Sequence, residues 1–204
     1  MPRRFCRCPA WIWTLAVAFS VMILGGCAAL APVEESHRIA RGVSRPFSLE
    51  GRFSLRYEEK SYSGRLSWRH AGAKNTVLLA SPFGQGIAEI ATDEYGARLT
   101  ASDGRVYSAP DTETLTRNVL GYPLPLEPLT DWVQARGTSS GGADLDTRGR
   151  PLRLRHEDWR IDYGYDSDDP QAPPTTIFAE RAGGVELRLR IDEWNDGVAG
   201  DSAP

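Results

Sequence analysis

From residue 47 onward, apolar and polar positions alternate with a period of two. Phe47, Leu49, Gly51, Phe53, Leu55 and Tyr57 interleave with Ser48, Glu50, Arg52, Ser54, Arg56 and Glu58. Successive side chains of a strand point to opposite faces, so this stretch is a strand with one apolar and one wet face. A polar turn at 58–61 follows. Tyr62, Gly64, Leu66 and Trp68 then alternate with Ser63, Arg65, Ser67 and Arg69, which predicts an antiparallel hairpin. Short strands are expected at 75–80 and 86–92 around Ser81-Pro82-Phe83-Gly84, and at 97–101 and 105–109 around Ser102-Asp103-Gly104.

The period then changes. Asp111 is placed to cap a helix that carries Leu115, Val119 and Leu120 on one face and stops at Gly121. Pro123-Leu124-Pro125-Leu126 is an extended link, and 127–135 reads as a second short helix with Leu129, Trp132 and Val133. Residues 138–150 are rich in Gly, Ser and Asp and read as a loop. Strands resume at 152–155 and at 159–165, where Trp159, Ile161, Tyr163 and Tyr165 alternate with Arg160, Asp162 and Gly164. After an acidic, proline-rich loop at 166–174, strands at 176–181 and 185–191 flank Gly183-Gly184.

Nine to eleven strands with one helical insert give a mainly β protein. Consecutive hairpins with one polar face make a curved antiparallel sheet that rolls into an open, half β-barrel. Its concave apolar face needs a cover, and the short helical insert is the expected lid. Two short helices fill such a mouth poorly, so an apolar cavity is expected beneath them. The inward candidates are Phe53, Leu55, Leu66, Trp68, Leu78, Ile90, Trp132, Tyr163 and Leu189. Periodicity alone leaves open whether they are plain core or the lining of a ligand cavity.

The N-terminus obeys different rules. Arg3, Arg4 and Arg7 precede an apolar run at 11–24, and no acid occurs before Glu34. The run is short of the ~20 residues that span a bilayer. Basic start, short apolar stretch and small residues describe an export signal rather than an uncleaved anchor. Leu24-Gly25-Gly26-Cys27 resembles the bacterial lipobox, which implies cleavage of 1–26 and acylation of Cys27. Cys6 and Cys8 then leave with the signal, and lipidation removes the last free thiol from an oxidising compartment. Residues 27–46 read as a lipid-anchored tether, 47–195 as the folded domain and 196–204 as a polar tail.

Charge and composition narrow the chemistry. The 204-residue chain carries a net charge of −3, and loss of Arg3, Arg4 and Arg7 takes the mature protein to −6. A pI near 5.7 without a Lys/Arg block leaves no footprint for nucleic acid. No phosphate-binding Gly-x-x-x-x-Gly-Lys loop, His-Glu-x-x-His, Gly-x-Ser-x-Gly or Cys/His metal spacing occurs. Of the histidines, His37 lies in the tether, His70 ends a strand, and His156 sits beside Glu157 and Asp158 in a solvated turn cluster. No catalytic residue, metal ligand or cofactor is expected, and the chain reads as a non-enzyme.

Several segments then occur together in order: the lipobox, Phe47-Ser48-Leu49-Glu50-Gly51-Arg52-Phe53, Gly64-Arg65-Leu66-Ser67-Trp68, Ser81-Pro82-Phe83-Gly84-Gln85, Leu120-Gly121-Tyr122-Pro123-Leu124-Pro125-Leu126 and Trp132. In this combination the chain resembles the LolB family of outer-membrane lipoproteins, from about residue 47 to 194. The resemblance implies an open β-barrel with a helical lid over an apolar cavity for acyl chains. It implies a monomer, anchored through Cys27 at the periplasmic face of the outer membrane. There it would take lipoproteins from a soluble LolA-like carrier and insert them into the inner leaflet without nucleotide. Ala28 after the cysteine fits the outer rather than the inner membrane, again by resemblance. The family's projecting apolar loop residue, a Leu between Pro and Gly, corresponds to Phe83. That side chain either dips into lipid headgroups or folds back on the core. A different class of protein, a structural lipoprotein that binds an envelope protein or peptidoglycan, would need neither cavity nor acyl chain.

Overall fold

The structure, a computed structural model, describes residues 44–136 and 143–195. The signal at 1–26, Cys27, the tether as far as residue 43 and the tail at 196–204 lie outside the described residues. Strands β1 (Phe47–Tyr57), β2 (Lys60–Ala71), β3 (Lys74–Ala80), β4 (Gly86–Asp93), β5 (Gly96–Ala101) and β6 (Val106–Ala109) come first. Helices α1 (Thr112–Leu120) and α2 (Leu126–Trp132) follow. Strands β7 (Asp144–Leu145), β8 (Pro151–His156), β9 (Trp159–Gly164), β10 (Thr176–Arg181) and β11 (Val185–Asn195) complete the described chain.

All strands belong to one 11-stranded sheet in the order β6-β5-β4-β3-β2-β1-β11-β10-β9-β8-β7. The first and last strands therefore pair in its middle. The chain meanders outward to the β6 edge, passes through the helices, and returns from the β7 edge. Those two edges do not pair, so the barrel stays open, and the helical segment is the connection between them.

Register turns the alternating pattern into continuous apolar rows. Leu49, Trp68, Val77, Ile90, Leu99 and Tyr107 stand opposite one another across β1 to β6. On the other half, Leu55, Leu187, Ala179, Ile161 and Leu154 do the same. Phe53, Leu189, Ile177 and Tyr163 form a third row. Nearly all of these residues belong to a single core cluster. The opposite face is wet and carries ion pairs such as Arg52–Asp192, Arg190–Asp166 and Arg160–Glu180. Exposed pairs of this kind each contribute ~0–1 kcal/mol, so the inner rows hold the sheet together.

Two glycines let the sheet bend. β1 bulges against β11 between Glu50 and Gly51, and a Cβ at Gly51 would lie 2.3 Å from the Arg190 carbonyl oxygen. At Gly64 a Cβ would lie 2.1 Å from the Ala80 carbonyl oxygen and 3.2 Å from the Phe53 ring. Bulges and strand glycines of this kind raise local twist and allow close backbone approach.

Two expectations need correcting. The second helix ends at Trp132, short of residue 135, because Ala135 takes a left-handed backbone with φ 51°. The expected loop at 138–150 contains β7 and ends in a buried Arg150. Arg150 pairs with Asp146 at 2.8 Å, donates to the carbonyls of Ser167 and Asp169, and stacks on Tyr165 at 4.1 Å. One guanidinium thus ties the β7–β8 turn to the loop after β9.

Candidate functional site: a roofed apolar concavity and a projecting loop

The roof is built as its sequence requires. The Asp111 carboxylate accepts from the Thr114 backbone N–H at 2.7 Å and caps α1, and that hydrogen bond, with one from the Thr114 hydroxyl, holds the Asp111 carboxyl below its usual range. Gly121 closes the helix at φ 92°, with its N–H on the Arg117 carbonyl. The Thr116 hydroxyl then accepts from Leu124 N–H at 2.8 Å, folding the link back along α1. α2 has no side-chain cap; Pro125 and Pro128 lie at its first turn, where the missing N–H costs little. Gln134 holds the far end, donating to Ser44 Oγ at 2.7 Å and accepting from Arg45 N–H at 3.3 Å.

Leu115, Leu126, Leu129 and Trp132 point inward and are buried. Trp132 meets Trp159 at 5.5 Å and His156 at 5.7 Å between ring centroids. Of the sequence candidates, Leu55, Leu66, Trp68, Ile90, Trp132, Tyr163 and Leu189 are buried, and Phe53 is half-buried against the same cluster. These surfaces are covered by neighbouring side chains rather than by open space. In the conformation seen, the lid and the sheet fill one another. A half-open recess of about 300 Å³ lies between the N-terminal ends of α1 and α2, lined by Asp111, Glu113, Arg117, Pro125 and Glu127 among others. It includes none of the expected cavity residues.

Leu78 is the candidate that the structure overturns. It is 47% exposed on the outer face, opposite Ser67 and Glu89, while its neighbour Val77 stands inward opposite Trp68 and Ile90. Val77-Leu78-Leu79 is an unbroken apolar run, so period two carries no information there. Inward residues outside the candidate set, including Val77, Leu99, Ile161 and Ile177, are fixed by the parity of their neighbours.

Phe83 does not fold back on the core. It is 93% exposed at the tip of the β3–β4 hairpin. Ser81 O accepts from Gly84 N–H at 2.9 Å, Ser81 N–H donates to Gln85 O at 2.7 Å, and Gly84 has φ 88°. This is a three-residue loop whose Pro82 presets one turn position and whose Gly84 supplies the left-handed one. The loop is closed by its own backbone hydrogen bonds and holds an aromatic ring out in solvent.

A polar cluster lies on the inner face. Asn75 Oδ1 accepts from Trp68 Nε1 at 3.0 Å and lies 2.9 Å from His70 Nδ1, while Asn75 Nδ2 donates to Thr92 Oγ1 at 3.1 Å. The amide orientation makes His70 Nδ1 the protonated nitrogen, and the group is hydrogen-bonded within itself. The turn cluster resolves into structural parts: His156 packs on Trp132, and Asp158 accepts from Arg181 at 2.6 Å. Among the described residues no group of three or more His, Cys, Asp or Glu side chains is placed to hold a metal ion. No described helix is long and apolar enough to cross a membrane.

Fold and site together define an open β half-barrel with an apolar concave face, a helical roof and a projecting aromatic loop. The profile of the family "Outer membrane lipoprotein LolB" matches residues 45–194. Similar chains include the outer-membrane lipoprotein LolB of Dechloromonas aromatica, 38% identical over 89% of this chain and 96% of its own. That of Thiobacillus denitrificans is 39% identical over 87% and 95%. That of Nitrosomonas europaea is 32% identical over 89% and 91%. This chain belongs to the LolB family of outer-membrane lipoproteins.

Proposed function

We propose that this chain, anchored at the outer membrane through an acylated Cys27, accepts lipoproteins from a soluble LolA-like carrier and passes them into the inner leaflet. The observation that carries the reading is the roofed concavity. An apolar row crosses six strands without a break, from Leu49 to Tyr107, and belongs to the same core cluster as the roof residues Leu115, Leu129 and Trp132. Lifting the helices exposes a surface that suits saturated chains, since each buried methylene is worth roughly 0.8 kcal/mol. Transfer from carrier to acceptor to bilayer then needs only successively better burial, and no nucleotide enters. Phe83 stands where it can enter the headgroup region as cargo leaves. The family's role as a lipoprotein acceptor agrees with the non-enzymatic reading.

The test uses phospholipid vesicles carrying the acylated full-length protein and a soluble carrier loaded with fluorescent lipoprotein. Cargo should move into these vesicles without ATP and stay in the carrier when the vesicles lack the protein. Equal transfer to both kinds of vesicle would overturn the reading.

A further inference from the structure

The Tyr122 hydroxyl is a buried polar atom of the roof. The Tyr122 hydroxyl oxygen exposes less than 1 Å² and has no hydrogen-bond partner, and the whole residue is 1% exposed. So little accessible surface leaves no room for water at that oxygen. Its ring lies against Tyr57 at 4.8 Å. Burial, with the nearby Tyr62, pushes the phenol well above its ordinary value, so it stays protonated and able to donate. Leaving a buried donor unmade is costly, and such groups are rare in native folds. The Trp68, His70, Asn75 and Thr92 cluster shows that the inner face can satisfy its polar groups internally.

Location gives the orphan hydroxyl a meaning. Tyr122 follows Gly121 in the link between α1 and α2, so it belongs to the roof. Its partner Tyr57 is the last residue of β1. β1 runs antiparallel to β2 and β2 to β3, so the end of β1 and the β3–β4 hairpin with Phe83 lie at the same end of the sheet. A ligand matching this layout has a long apolar body along the inner rows and one hydrogen-bond acceptor at its head. An ester-linked acyl chain has that shape.

Resting on the acyl-holding reading above, we infer that Tyr122 donates a hydrogen bond to an ester carbonyl of the bound diacylglyceryl group. This fixes the head of the chain at the end of the sheet that carries Phe83. It also gives the closed, empty state an unsatisfied donor that cargo relieves, so ester-bearing ligands favour the lifted roof more than bare hydrocarbon does.

The experiment compares two cysteine lipopeptides with chains of equal length brominated at their tips, one a dihexadecanoyl ester and the other a dihexadecyl ether without carbonyls. Full-length protein is held in cholate, which has no acyl chain, and binding is read as quenching of tryptophan emission. The wild type should bind the diester about fivefold more tightly than the diether, the scale of one net hydrogen bond. Tyr122→Phe should bind both with the affinity of the diether and melt no lower than the wild type, because it loses no partner. A preference that survives in Tyr122→Phe, or a wild type that binds both equally, would overturn the role of the hydroxyl and leave acyl binding standing. A wild type that binds neither would overturn acyl binding itself, and this inference with it.

Discussion

The indole of Trp132, the last residue of α2, lies at 53° to that of Trp159, the first residue of β9, with ring centroids 5.5 Å apart. This contact latches the roof to the sheet. Together with His156 at 5.7 Å it places the largest roof side chain over the β8–β9 turn, where Glu157 takes a left-handed backbone with φ 52°. The latch is packing and not covalent, as the lifting proposed for the roof requires.

Trp132→Ala should therefore loosen the roof before it loosens the sheet. Truncating a buried Trp costs about 3–5 kcal/mol where neighbours cannot collapse. With the lifting proposed for the roof, part of that cost appears as local opening. Amide exchange should rise across 126–135 while β1, β2 and β11 keep their protection. Uniform loss of protection over sheet and helices would show that the roof is an integral part of the core.

Phe83→Glu should separate folding from delivery. The ring touches no core residue, so stability should stay within about 0.5 kcal/mol of the wild type in urea. Acceptance of cargo from the carrier should be unchanged. Release into vesicles should slow by about tenfold or more, since burying a Phe is worth roughly 1.5–3 kcal/mol. Phe83→Leu should retain most of the activity. Wild-type release by Phe83→Glu would remove the loop from the mechanism.

Much of this could be read from the residues, and the failures have physical causes. Alternation in β1, β2, β9 and β11 gave the inner faces correctly, because each of those strands is wet on one side. The helix at 112–120 was legible at both ends from Asp111 and Gly121. Leu78 was misplaced because three apolar residues in a row have no parity of their own. β7 was missed because two residues carry no period and because the Arg150 contacts that hold the turn span 17 to 19 positions. The β1–β11 pairing depends on register between residues about 140 positions apart, and alternation within one strand says nothing of its partner. The sequence singled out no role for Tyr122, and only its surroundings reveal a hydroxyl without a partner.

Gly64→Ala tests the curvature. The added methyl would sit 2.1 Å from the Ala80 carbonyl oxygen, which is backbone and cannot rotate away. The Phe53 ring at 3.2 Å blocks escape on the other side. Forced overpacking costs about 1–3 kcal/mol, so the urea midpoint should fall. Phe53→Ala introduced beside it should not restore stability, because the backbone clash persists. Wild-type stability in Gly64→Ala would mean that β2 and β3 have freedom to part at this position.

The Asp146–Arg150 pair should give the protein a measurable acid dependence. Burial raises the Asp146 carboxyl, but the Arg150 backbone N–H, the Arg150 guanidinium and the Arg148 N–H outweigh it and hold the group below its ordinary value. A carboxyl depressed in the folded state binds fewer protons there than in the unfolded chain. Its contribution is therefore present above the unfolded pKa of about 3.9 and disappears as pH falls through the lower folded value. Asp158, Asp166 and Asp192 are depressed in the same direction by Arg181, Arg190 and Arg52, so the wild type should lose stability steeply below about pH 4. Asp146→Asn should be less stable than the wild type at pH 7, because it leaves the Arg150 guanidinium buried without its counter-charge. The gap should narrow as pH drops, since the wild-type carboxylate is neutralised as well. Urea midpoints for both proteins from pH 7 to pH 2.5 check this. Parallel curves would show that Asp146 acts through its hydrogen bonds alone and that its charge adds nothing.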